Sequence, residues 1–340
     1  MIFDALAAPE RVFVIAEVGN NHEGILNHAV EMVRLAAEAG ADAVKFQTAQ
    51  ADLFISPADP ERLERFKRFD LGRDGFLTLR NVAHEAGIAF ISTPLDMKSA
   101  AFLGPVVDAL KIASGDNTFV PLLRYAGACG KPIILSTGMA DIDTVNTAVD
   151  LIEEAGGSAP GTHPLAILHC VSSYPTPPAD ANLRAIATLA ESFDYPIGYS
   201  DHTLGIEAPV LAAAVGARVI EKHFTLDKAF SEFRDHALSA DPDDLAFMVS
   251  RIRATELLLG NGRKEPQKCE IDAATSMRRS IAAARDLSAG HRLTMDDLMW
   301  IRPGTGMPPG QEDRLIGKRL IQPVSTASLL DLDMFEAAAA

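Results

Sequence analysis

Residues 12–48 read VFVIAEVGNNHEGILNHAVEMVRLAAEAGADAVKFQT and contain one strand–helix–strand unit. The runs Val12–Glu17 and Asp42–Gln47 are short, rich in apolar residues and end in polar ones, which is typical of strands buried on both faces. Between them, His28–Ala37 has the apolar spacing of an amphipathic helix, and Gly40 follows it as a helix C-cap glycine does. We therefore predict two parallel strands joined by a helix.

The same unit recurs along the first two thirds of the chain. Further helical segments such as Phe76–Ala86, Asp141–Ala155 and Ile206–Val215 alternate with more strand-like runs. Eight strand–helix units predict a closed parallel (β/α)8 TIM barrel, a fold of about 250 residues. An open doubly wound sheet is the alternative, but it usually has fewer strands and a Gly-rich fingerprint that GNNHEG does not match. The six further runs are Ile88–Thr93, Ala109–Ser114, Pro132–Thr137, Leu165–Cys170, Pro196–His202 and Ala217–His223.

The sequence changes character after the eighth unit. A predicted helix, Leu245–Leu259, is followed by the polar break GNGRKEPQKCE and then by short strand-like segments around the loop RPGTGMPPG. We predict a barrel domain over residues 1–262, a linker over 263–276 and a small domain over 277–340. Because a tail of about 60 residues is marginal as an independent fold, we expect it to pack against its own barrel or a second subunit.

Composition excludes several classes of partner. The 340 residues include 31 basic and 46 acidic side chains, a net charge of −15, which disfavours nucleic acid and anionic lipid. No apolar run approaches the roughly 18 residues of a membrane span, and the N-terminus lacks the features of an export signal. Three widely spaced cysteines fit reduced thiols, so we expect a cytoplasmic protein.

Polar residues end every predicted strand. In a (β/α)8 barrel the carboxyl-terminal ends of the strands form the active site, so these residues are candidates for chemistry. Burying so many polar groups costs free energy unless each has hydrogen-bond or charge partners. An active site at the carboxyl-terminal ends of the strands explains why all eight strands end in polar residues. They are Glu17, Lys45, Gln47, Thr93, Lys111, Ser114, Ser136, Thr137, His169, Ser200, His202, Glu221 and His223.

Two lysines in the mouth of an acidic protein indicate an anionic ligand. Lys45 and Lys111 can bind phosphate or carboxylate as point charges, and Ser114 and Ser136 precede Gly-containing turns that favour an anion. Salt bridges at the barrel rim are one alternative for these lysines. A Schiff-base lysine is another, because a desolvated lysine can attack a carbonyl.

His202 and His223 end neighbouring strands and are candidates to bind a divalent metal, with Asp201 and Glu221 beside them. A pair of hydrogen-bonded core histidines is the alternative, and we expect His169 to be structural. Glu17 ends the first strand, where it could act as a general acid/base or form a salt bridge with Lys45 on the next strand.

Eight motifs resemble, in order and spacing, those of the bacterial sialic acid synthase family, which includes N-acetylneuraminate, legionaminic and pseudaminic acid synthases. The segment from Met277 to Met334, with RRSIAAARDLSAGHRLT and WIRPGTGM, resembles the SAF (antifreeze-like) domain that follows the barrel in that family. The resemblance covers nearly the whole chain. The motifs are IAEVGNNHEG (15–24), GADAVKFQT (40–48), ISTPLD (91–96), LKIASGD (110–116), PIILSTGM (132–139), LHCVSSYPTP (168–177), IGYSDHT (197–203) and IEKHFTLD (220–227).

The resemblance implies a metal-dependent condensation of phosphoenolpyruvate with an N-acetylated amino-sugar aldehyde. Mn²⁺ is the metal that we expect, with Mg²⁺ or Co²⁺ as alternatives, held by His202 and His223. The family arrangement is a homodimer in which Arg302 of each SAF domain covers the partner's barrel, and Glu17 matches a carboxylate beside the sugar and a metal-bound water. Matching positions for phosphoenolpyruvate are Lys45, Gln47, Thr93, Lys111, Ser114, Ser136 and Ser200, and those for the sugar are Asp116, Tyr174, Asp235 and Arg302.

Three departures from the family pattern lie on the sugar side and leave the acceptor open. Glu23 stands where many members have Asn, Asp116 stands where many have Glu, and the charged segment Thr48–Gly75 varies and is predicted to be helical. Other functions remain as alternatives: a Schiff-base aldolase, a related 3-deoxy sugar acid synthase, and a carbohydrate-binding protein without catalysis.

Overall fold

The computed structural model describes residues 11–157 and 164–336. Eight parallel strands close into a barrel in sequential order, β1 to β8, and β8 pairs with β1. The predicted TIM barrel is therefore confirmed. The strands are β1 Phe13–Gly19, β2 Ala43–Thr48, β3 Ala89–Pro94, β4 Ala109–Ile112, β5 Ile133–Ser136, β6 Leu165–Cys170, β7 Ile197–Asp201 and β8 Val219–His223.

Helices connect the strands and cover the outside of the barrel. Each predicted strand run falls on one observed strand, and no end differs by more than two residues. β4 ends at Ile112, two residues before the predicted end, and a 3-10 turn over Ser114–Asp116 follows it. The helices of this unit are α1 Leu26–Glu38, α2 Ala51–Phe54, α3 Pro60–Phe69, α4 Gly72–Glu85, α5 Met97–Leu103, α6 Val120–Ala128, α7 Ile142–Gly156, α8 Ala185–Ser192, α9 Glu207–Ala214, α10 Arg234–Leu238 and α11 Pro242–Leu259.

Side-chain chemistry fixes where several helices begin and end. The carboxylate of Asp96 accepts hydrogen bonds from the backbone N–H groups of Lys98 and Ser99 at the start of α5, and Asp141 caps α7 in the same way. Such caps satisfy N–H groups that have no partner within the helix. Gly157 ends α7 with φ +62°, a conformation that favours glycine.

The alternation of side chains along each strand divides the barrel into a lumen and an outer layer. On β1, Phe13 and Ile15 face the lumen and the next residue in that series is Glu17. Polar residues at the strand ends therefore share a face with the apolar residues below them. Gly198 allows β7 to lie close to β8, since a Cβ there would lie 2.4 Å from the carbonyl oxygen of Val219. The apolar lumen residues are Phe13, Ile15, Ala43, Ile91, Ala109, Ile134, Ala166, Leu168 and Val219.

The segment between β2 and β3 is helical, as predicted, and forms α2 and α3 at the carboxyl-terminal end of the barrel. Phe54 of α2 packs edge-on against Phe66 of α3, with ring centroids 5.1 Å apart. Phe69 of α3 packs in the same way against Phe233, which follows β8, at 5.4 Å. These contacts hold α3 beside the barrel mouth.

A second compact unit begins at Asn261. It contains α12, Ile271–Met277, and an antiparallel pair, β9 Ser280–Ala283 and β10 Leu298–Ile301, over its own apolar core. Residues 263–276, predicted as a linker, thus include most of a helix. Among the described residues, no helix is long and apolar enough to cross a membrane.

Candidate active site

The carboxyl-terminal ends of the eight strands surround a cavity of about 700 Å³, and every strand contributes a lining side chain. Asp116 does not line this cavity but directly follows Gly115, which does. Arg302 is exposed in the second unit, just after β10. The sequence-predicted residues on the cavity wall are Glu17, Lys45, Gln47, Thr93, Lys111, Ser114, Ser136, Tyr174, Ser200, His202, His223 and Asp235.

Glu17 and Lys45 form an ion pair at the base of the cavity. They are register partners on β1 and β2, and the Lys45 Nζ atom lies 2.8 Å from Glu17 Oε2. Gln47 Nε2 donates to the other oxygen of Glu17 at 3.2 Å, and Asn20 Nδ2 donates to Gln47 Oε1 at 2.9 Å. This chain of contacts fixes the orientation of the Glu17 carboxylate.

Glu221 is the acidic centre of the mouth. Its Oε1 atom lies 3.5 Å from Lys45 Nζ and 3.4 Å from Lys111 Nζ, and it accepts a hydrogen bond from Ser200 Oγ at 3.0 Å. The sequence predicts Glu221 at the end of a strand and beside the two histidines, but not as the partner of the lysines. Its position two residues before His223 on β8, combined with the need of two buried lysines for a counter-charge, could have indicated this pairing.

The hydroxyl groups predicted to bind an anion lie next to the lysines. Lys111 Nζ donates to Ser136 Oγ at 2.7 Å, and Lys45 Nζ donates to Thr93 Oγ1 at 3.3 Å. The backbone N–H of Gly138 donates to Ser114 Oγ at 3.0 Å, and a Cβ at Gly138 would lie 2.7 Å from that oxygen. Hydroxyl and ammonium donors thus lie close together on this wall of the cavity. A side chain at position 138 would collide with Ser114.

Burial disfavours the charged form of all four ionisable groups in this network, and it is the largest influence on each pKa. For Lys45, attraction to Glu17 and Glu221 outweighs burial and raises the pKa. For Glu221, attraction to Lys111 and Lys45 outweighs burial and lowers the pKa to about 2. Burial prevails for Lys111, whose pKa is lowered, and for Glu17, whose pKa is raised. Glu17 therefore holds its proton more tightly than an ordinary carboxylate does, and such a raised pKa suits a general acid/base.

His202 and His223 lie together on the cavity wall, with ring centroids 5.4 Å apart. His202 Nδ1 donates to the carbonyl oxygen of Val171 at 2.8 Å, which leaves Nε2 as a lone-pair donor. His223 Nδ1 is buried and has no hydrogen-bond partner among the described residues. Burial lowers the pKa of both rings, which favours the neutral imidazole form.

These two imidazoles fit a divalent transition metal that completes its shell with water or substrate oxygens. A neutral ring whose second nitrogen is fixed by a carbonyl is a common form of metal-binding histidine. Within residues 11–157 and 164–336, no group of three or more His, Cys, Asp or Glu side chains is arranged around one metal position. The protein would thus supply two nitrogen donors and leave the other positions open.

The predicted place of Asp201 beside the histidines is wrong. Asp201 Oδ2 accepts from Lys222 Nζ at 2.7 Å, and Asp201 Oδ1 accepts from the Tyr199 hydroxyl at 2.9 Å. Adjacent residues of a strand point to opposite faces, so Asp201 lies outside the lumen while Ser200 lies within it. His169 is structural, as expected: its Nε2 contacts the carbonyl oxygen of Ala181 at 2.9 Å, outside the cavity lining.

The remaining wall of the cavity carries the residues predicted for the sugar, together with a set that the sequence did not indicate. The Tyr174 ring lies over His202, with centroids 4.0 Å apart. Burial raises the pKa of Asp116 to about 6. The additional lining residues come from α2, α3 and the segment after β8, and they are Phe54, Arg62, Arg65, Phe66, Phe69, Glu232 and Phe233.

Comparison with known proteins agrees with this geometry. Residues 32–264 match the NeuB family, and residues 278–336 match the SAF domain. The chain is 49% identical over 299 residues to an uncharacterized protein of Methanocaldococcus jannaschii, covering 88% of this chain and 87% of that one. It is 41% identical over 339 residues to the N,N'-diacetyllegionaminic acid synthase of Legionella pneumophila, covering 96% and 95% of the two chains.

A solved structure extends the likeness to three dimensions. The N-acetylneuraminic acid (sialic acid) synthetase of Leptospira borgpetersenii, in complex with citrate, is 40% identical with a TM-score of 0.73, covering 77% of this chain and 90% of that one. The chain belongs to the NeuB family and is an enzyme of the sialic acid synthase type.

Proposed function

We propose that this enzyme condenses phosphoenolpyruvate with an N-acetylated amino-sugar aldehyde, either N-acetylmannosamine or a diacetamido-trideoxy hexose. The products are a nonulosonic acid and phosphate. The observation that carries the proposal is the buried mouth in which Lys45 and Lys111 face Glu17, Glu221 and a pair of neutral histidines. That arrangement combines an anion site, a candidate proton carrier and a candidate metal site in one cavity.

Lys45 and Lys111 would bind the phosphate and carboxylate of phosphoenolpyruvate. Both ammonium groups are almost completely buried, and an anion in a dry site interacts with them far more strongly than it would in water. Ser136 and Thr93 already contact the two lysines, and Ser114 lies on the same wall. Gln47 and Ser200 complete the expected subsite.

His202 and His223 would hold a divalent metal, for which Mn²⁺ is the first candidate. When bound, such an ion would supply Lewis-acid polarisation of the sugar aldehyde. Glu17 lies in the same cavity, and its raised pKa suits proton exchange with the sugar hydroxyl or with the reacting water. Asp116, Tyr174, Asp235 and Arg302 are the proposed sugar-side residues.

The proposed reaction forms one carbon–carbon bond. The CH₂ carbon of phosphoenolpyruvate attacks the aldehyde carbon, whose oxygen takes up a proton, while positive charge develops at C2 of the former alkene. Water adds to C2 and loses a proton, which replaces the one taken up by the aldehyde oxygen. The bond between C2 and the phosphate oxygen then breaks, and the new hydroxyl gives up its proton to the departing phosphate, which leaves a ketone at C2. Holding both substrates in one cavity converts a bimolecular encounter into an aligned one, which can lower the barrier by several kcal/mol.

One observation favours a second candidate, a Schiff-base aldolase. Burial lowers the pKa of Lys111, as the pKa of a nucleophilic lysine must be. Borohydride trapping with pyruvate distinguishes the two, because an aldolase would give a stable adduct on Lys111 that forms in the presence of EDTA. The condensation predicts no adduct.

We also propose a homodimer in which the SAF domain of one subunit places Arg302 over the partner's mouth. Closing a mouth protects reactive intermediates from water, and a cation on the cover would contribute to binding an oxygen-rich substrate. The three free cysteines agree with a cytoplasmic location.

Phosphate release from phosphoenolpyruvate, measured across a panel of N-acetylated amino-sugars with and without Mn²⁺, tests the function. We expect release only when a sugar of this class and the metal are both present. A Lys111→Met variant is the control for contaminating phosphatase. Release without any sugar, or no release with any member of the panel, would contradict the proposal.

A further inference from the structure

Helix α3 turns one face toward the cavity, and that face is cationic and aromatic. Arg62, Arg65, Phe66 and Phe69 all line the cavity. Their spacing of three, four and seven residues from Arg62 places them on one side of a helix. The face lies at the carboxyl-terminal end of the barrel, because the cavity that it lines is formed by the ends of the strands.

The two arginines are not neutralised by the acids of their own segment. Asp52 and Glu64 instead form ion pairs with Lys67, whose Nζ atom lies 3.2 Å from Asp52 Oδ1 and 3.3 Å from Glu64 Oε1. Within the described residues, no carboxylate forms an ion pair with the guanidinium of Arg62 or Arg65, although Glu61 precedes Arg65 by the four residues that usually favour one. The segment therefore presents to the cavity two positive charges that no ion pair neutralises among the described residues.

Aromatic rings orient both guanidinium groups. The central carbon of Arg62 lies 5.4 Å from the Phe54 ring centroid and 5.8 Å from that of Phe66. The same atom of Arg65 lies 6.0 Å from the centroid of Phe233. An arginine that packs against aromatic rings can still offer the N–H groups along its edge, in a fork that matches a carboxylate or phosphate.

The strand-borne charges of the cavity are already balanced. Lys45 and Lys111 are paired with Glu17 and Glu221, so the strands contribute two positive and two negative charges. The arginines add positive charge on a different element, beside the loops rather than on the strands. Two acids of the segment after β8, Glu232 and Asp235, also line the cavity, and Glu232 forms no ion pair with either arginine in the part of the chain that the structure describes.

We propose that Arg62 and Arg65 bind an anionic group, a phosphate monoester or a carboxylate, at the end of the acceptor sugar remote from its aldehyde. This inference rests on the proposed function, because the aldehyde has to meet phosphoenolpyruvate at the lysines. The rest of the acceptor then extends toward the loops, where α3 lies. The inference thus refines the proposed acceptor, from the neutral amino-sugar itself to a derivative of that class that carries an anionic group.

Binding of unreactive alditols tests the subsite directly, since an alditol has no aldehyde and cannot condense. Calorimetric titrations would use an N-acetylhexosaminitol, its 6-phosphate and the corresponding uronic acid derivative, with Mn²⁺ and saturating phosphoenolpyruvate present to occupy the lysines. We expect one of the two anionic alditols to bind about tenfold more tightly than the neutral one, as charged hydrogen bonds to arginine predict. Which of them does so distinguishes phosphate from carboxylate.

Substitution assigns that preference to the two residues. The double variant Arg62→Gln/Arg65→Gln should bind all three alditols equally. Arg68→Gln is the matched control, because Arg68 is on the same helix and packs on Phe69 but does not line the cavity, so the preference should persist. Equal binding of the three alditols by the wild-type enzyme, or an unchanged preference in the double variant, would overturn the inference.

Turnover separates this inference from the proposed function. If no amino-sugar supports phosphate release, the proposed function fails, whereas the alditol titrations still decide whether an anion subsite exists. An increase in the KM for phosphoenolpyruvate in the double variant, without a change in acceptor preference, would show that the arginines attract phosphoenolpyruvate instead, and would also overturn the inference.

Discussion

Glu17 and Lys45 are direct register partners on β1 and β2, and their side chains form a buried ion pair of 2.8 Å. The same lysine also contacts Glu221 from β8, at 3.5 Å. Three strands are thereby connected through charges rather than through apolar packing. Apolar residues in place of these ion pairs would stabilise the barrel equally well. We therefore attribute the buried charges to the binding of ligands in the mouth.

Glu221→Gln should destabilise the free enzyme, because two buried lysines lose their shared counter-charge. Breaking a buried ion pair typically costs about 3–5 kcal/mol in the free energy of unfolding. Urea unfolding would measure this loss, and phosphoenolpyruvate should restore part of it by supplying negative charge. Glu232→Gln is the control, since Glu232 lines the cavity but pairs with neither lysine. An unchanged unfolding free energy for Glu221→Gln would contradict the central role of this residue.

Lys45→Met and Lys111→Met should raise the KM for phosphoenolpyruvate far more than the KM for the acceptor. Removing one partner of a desolvated charged contact costs roughly 2–5 kcal/mol, which is well above a tenfold effect. Steady-state kinetics with each substrate varied in turn would measure the difference. Lys98→Met, which changes an exposed lysine, should leave both constants unchanged. Effects below about tenfold would favour structural salt bridges.

Removal of metal should abolish activity, and His223→Ala should abolish metal binding. Calorimetric titration with Mn²⁺ gives a readout that does not depend on turnover, and we expect binding to the wild-type enzyme and none to the variant. His84→Gln serves as a control, because His84 pairs with Asp108 on the surface of the barrel. Full activity of His223→Ala in EDTA would refute the metal site.

We expect the stability of the wild-type enzyme to decrease as the pH rises through about 6, because Asp116 then loses its proton in the folded protein. Burial raises its pKa to about 6 in the folded state, so between its unfolded pKa and this value the folded protein binds more protons. Stability is therefore lost as pH rises, by about 1–2 kcal/mol after screening by solvent. Urea unfolding at pH 5 and pH 8 would show a smaller difference for Asp116→Asn than for the wild type. An identical difference in both proteins would remove Asp116 as the cause.

Mixing two inactive variants tests the proposed exchange of SAF domains. An Arg302→Ala subunit and a Lys111→Met subunit, each nearly inactive alone, should together restore about a quarter of wild-type sites, because each mixed dimer holds one intact mouth. Native mass spectrometry would verify that subunits have exchanged. If activity does not recover although subunits have exchanged, the SAF domain covers the barrel of its own subunit, and the proposed exchange is wrong.

The barrel could be predicted because one local pattern recurs eight times, and each strand run ends in polar residues that face the lumen. The need for a carboxylate opposite the two lysines could be predicted too, but the specific contact of Glu221 with Lys111 could not, because it joins strands that are not neighbours and depends on how the barrel closes. Asp201 was misplaced for the opposite reason. Its sequence position beside His202 suggested proximity, but strand alternation directs it outward to Lys222.

The cationic face of α3 was also missed from the sequence. The segment that contains it was predicted to be helical, yet its charges resemble those of any solvated helix, and nothing in the order of residues indicates which side faces the mouth. Contacts across long sequence distances decide that orientation, above all the packing of Phe69 on Phe233.

The oxygen isotope content of the released phosphate tests the central claim most directly. In water enriched in ¹⁸O, with an accepted amino-sugar and metal present, water adding to C2 and the breaking of the C2–O bond leave the phosphate with only the oxygens of phosphoenolpyruvate. We therefore predict unlabelled phosphate, released only when the sugar is present. Phosphate that carries ¹⁸O would mean that water attacks phosphorus, and would contradict the condensation.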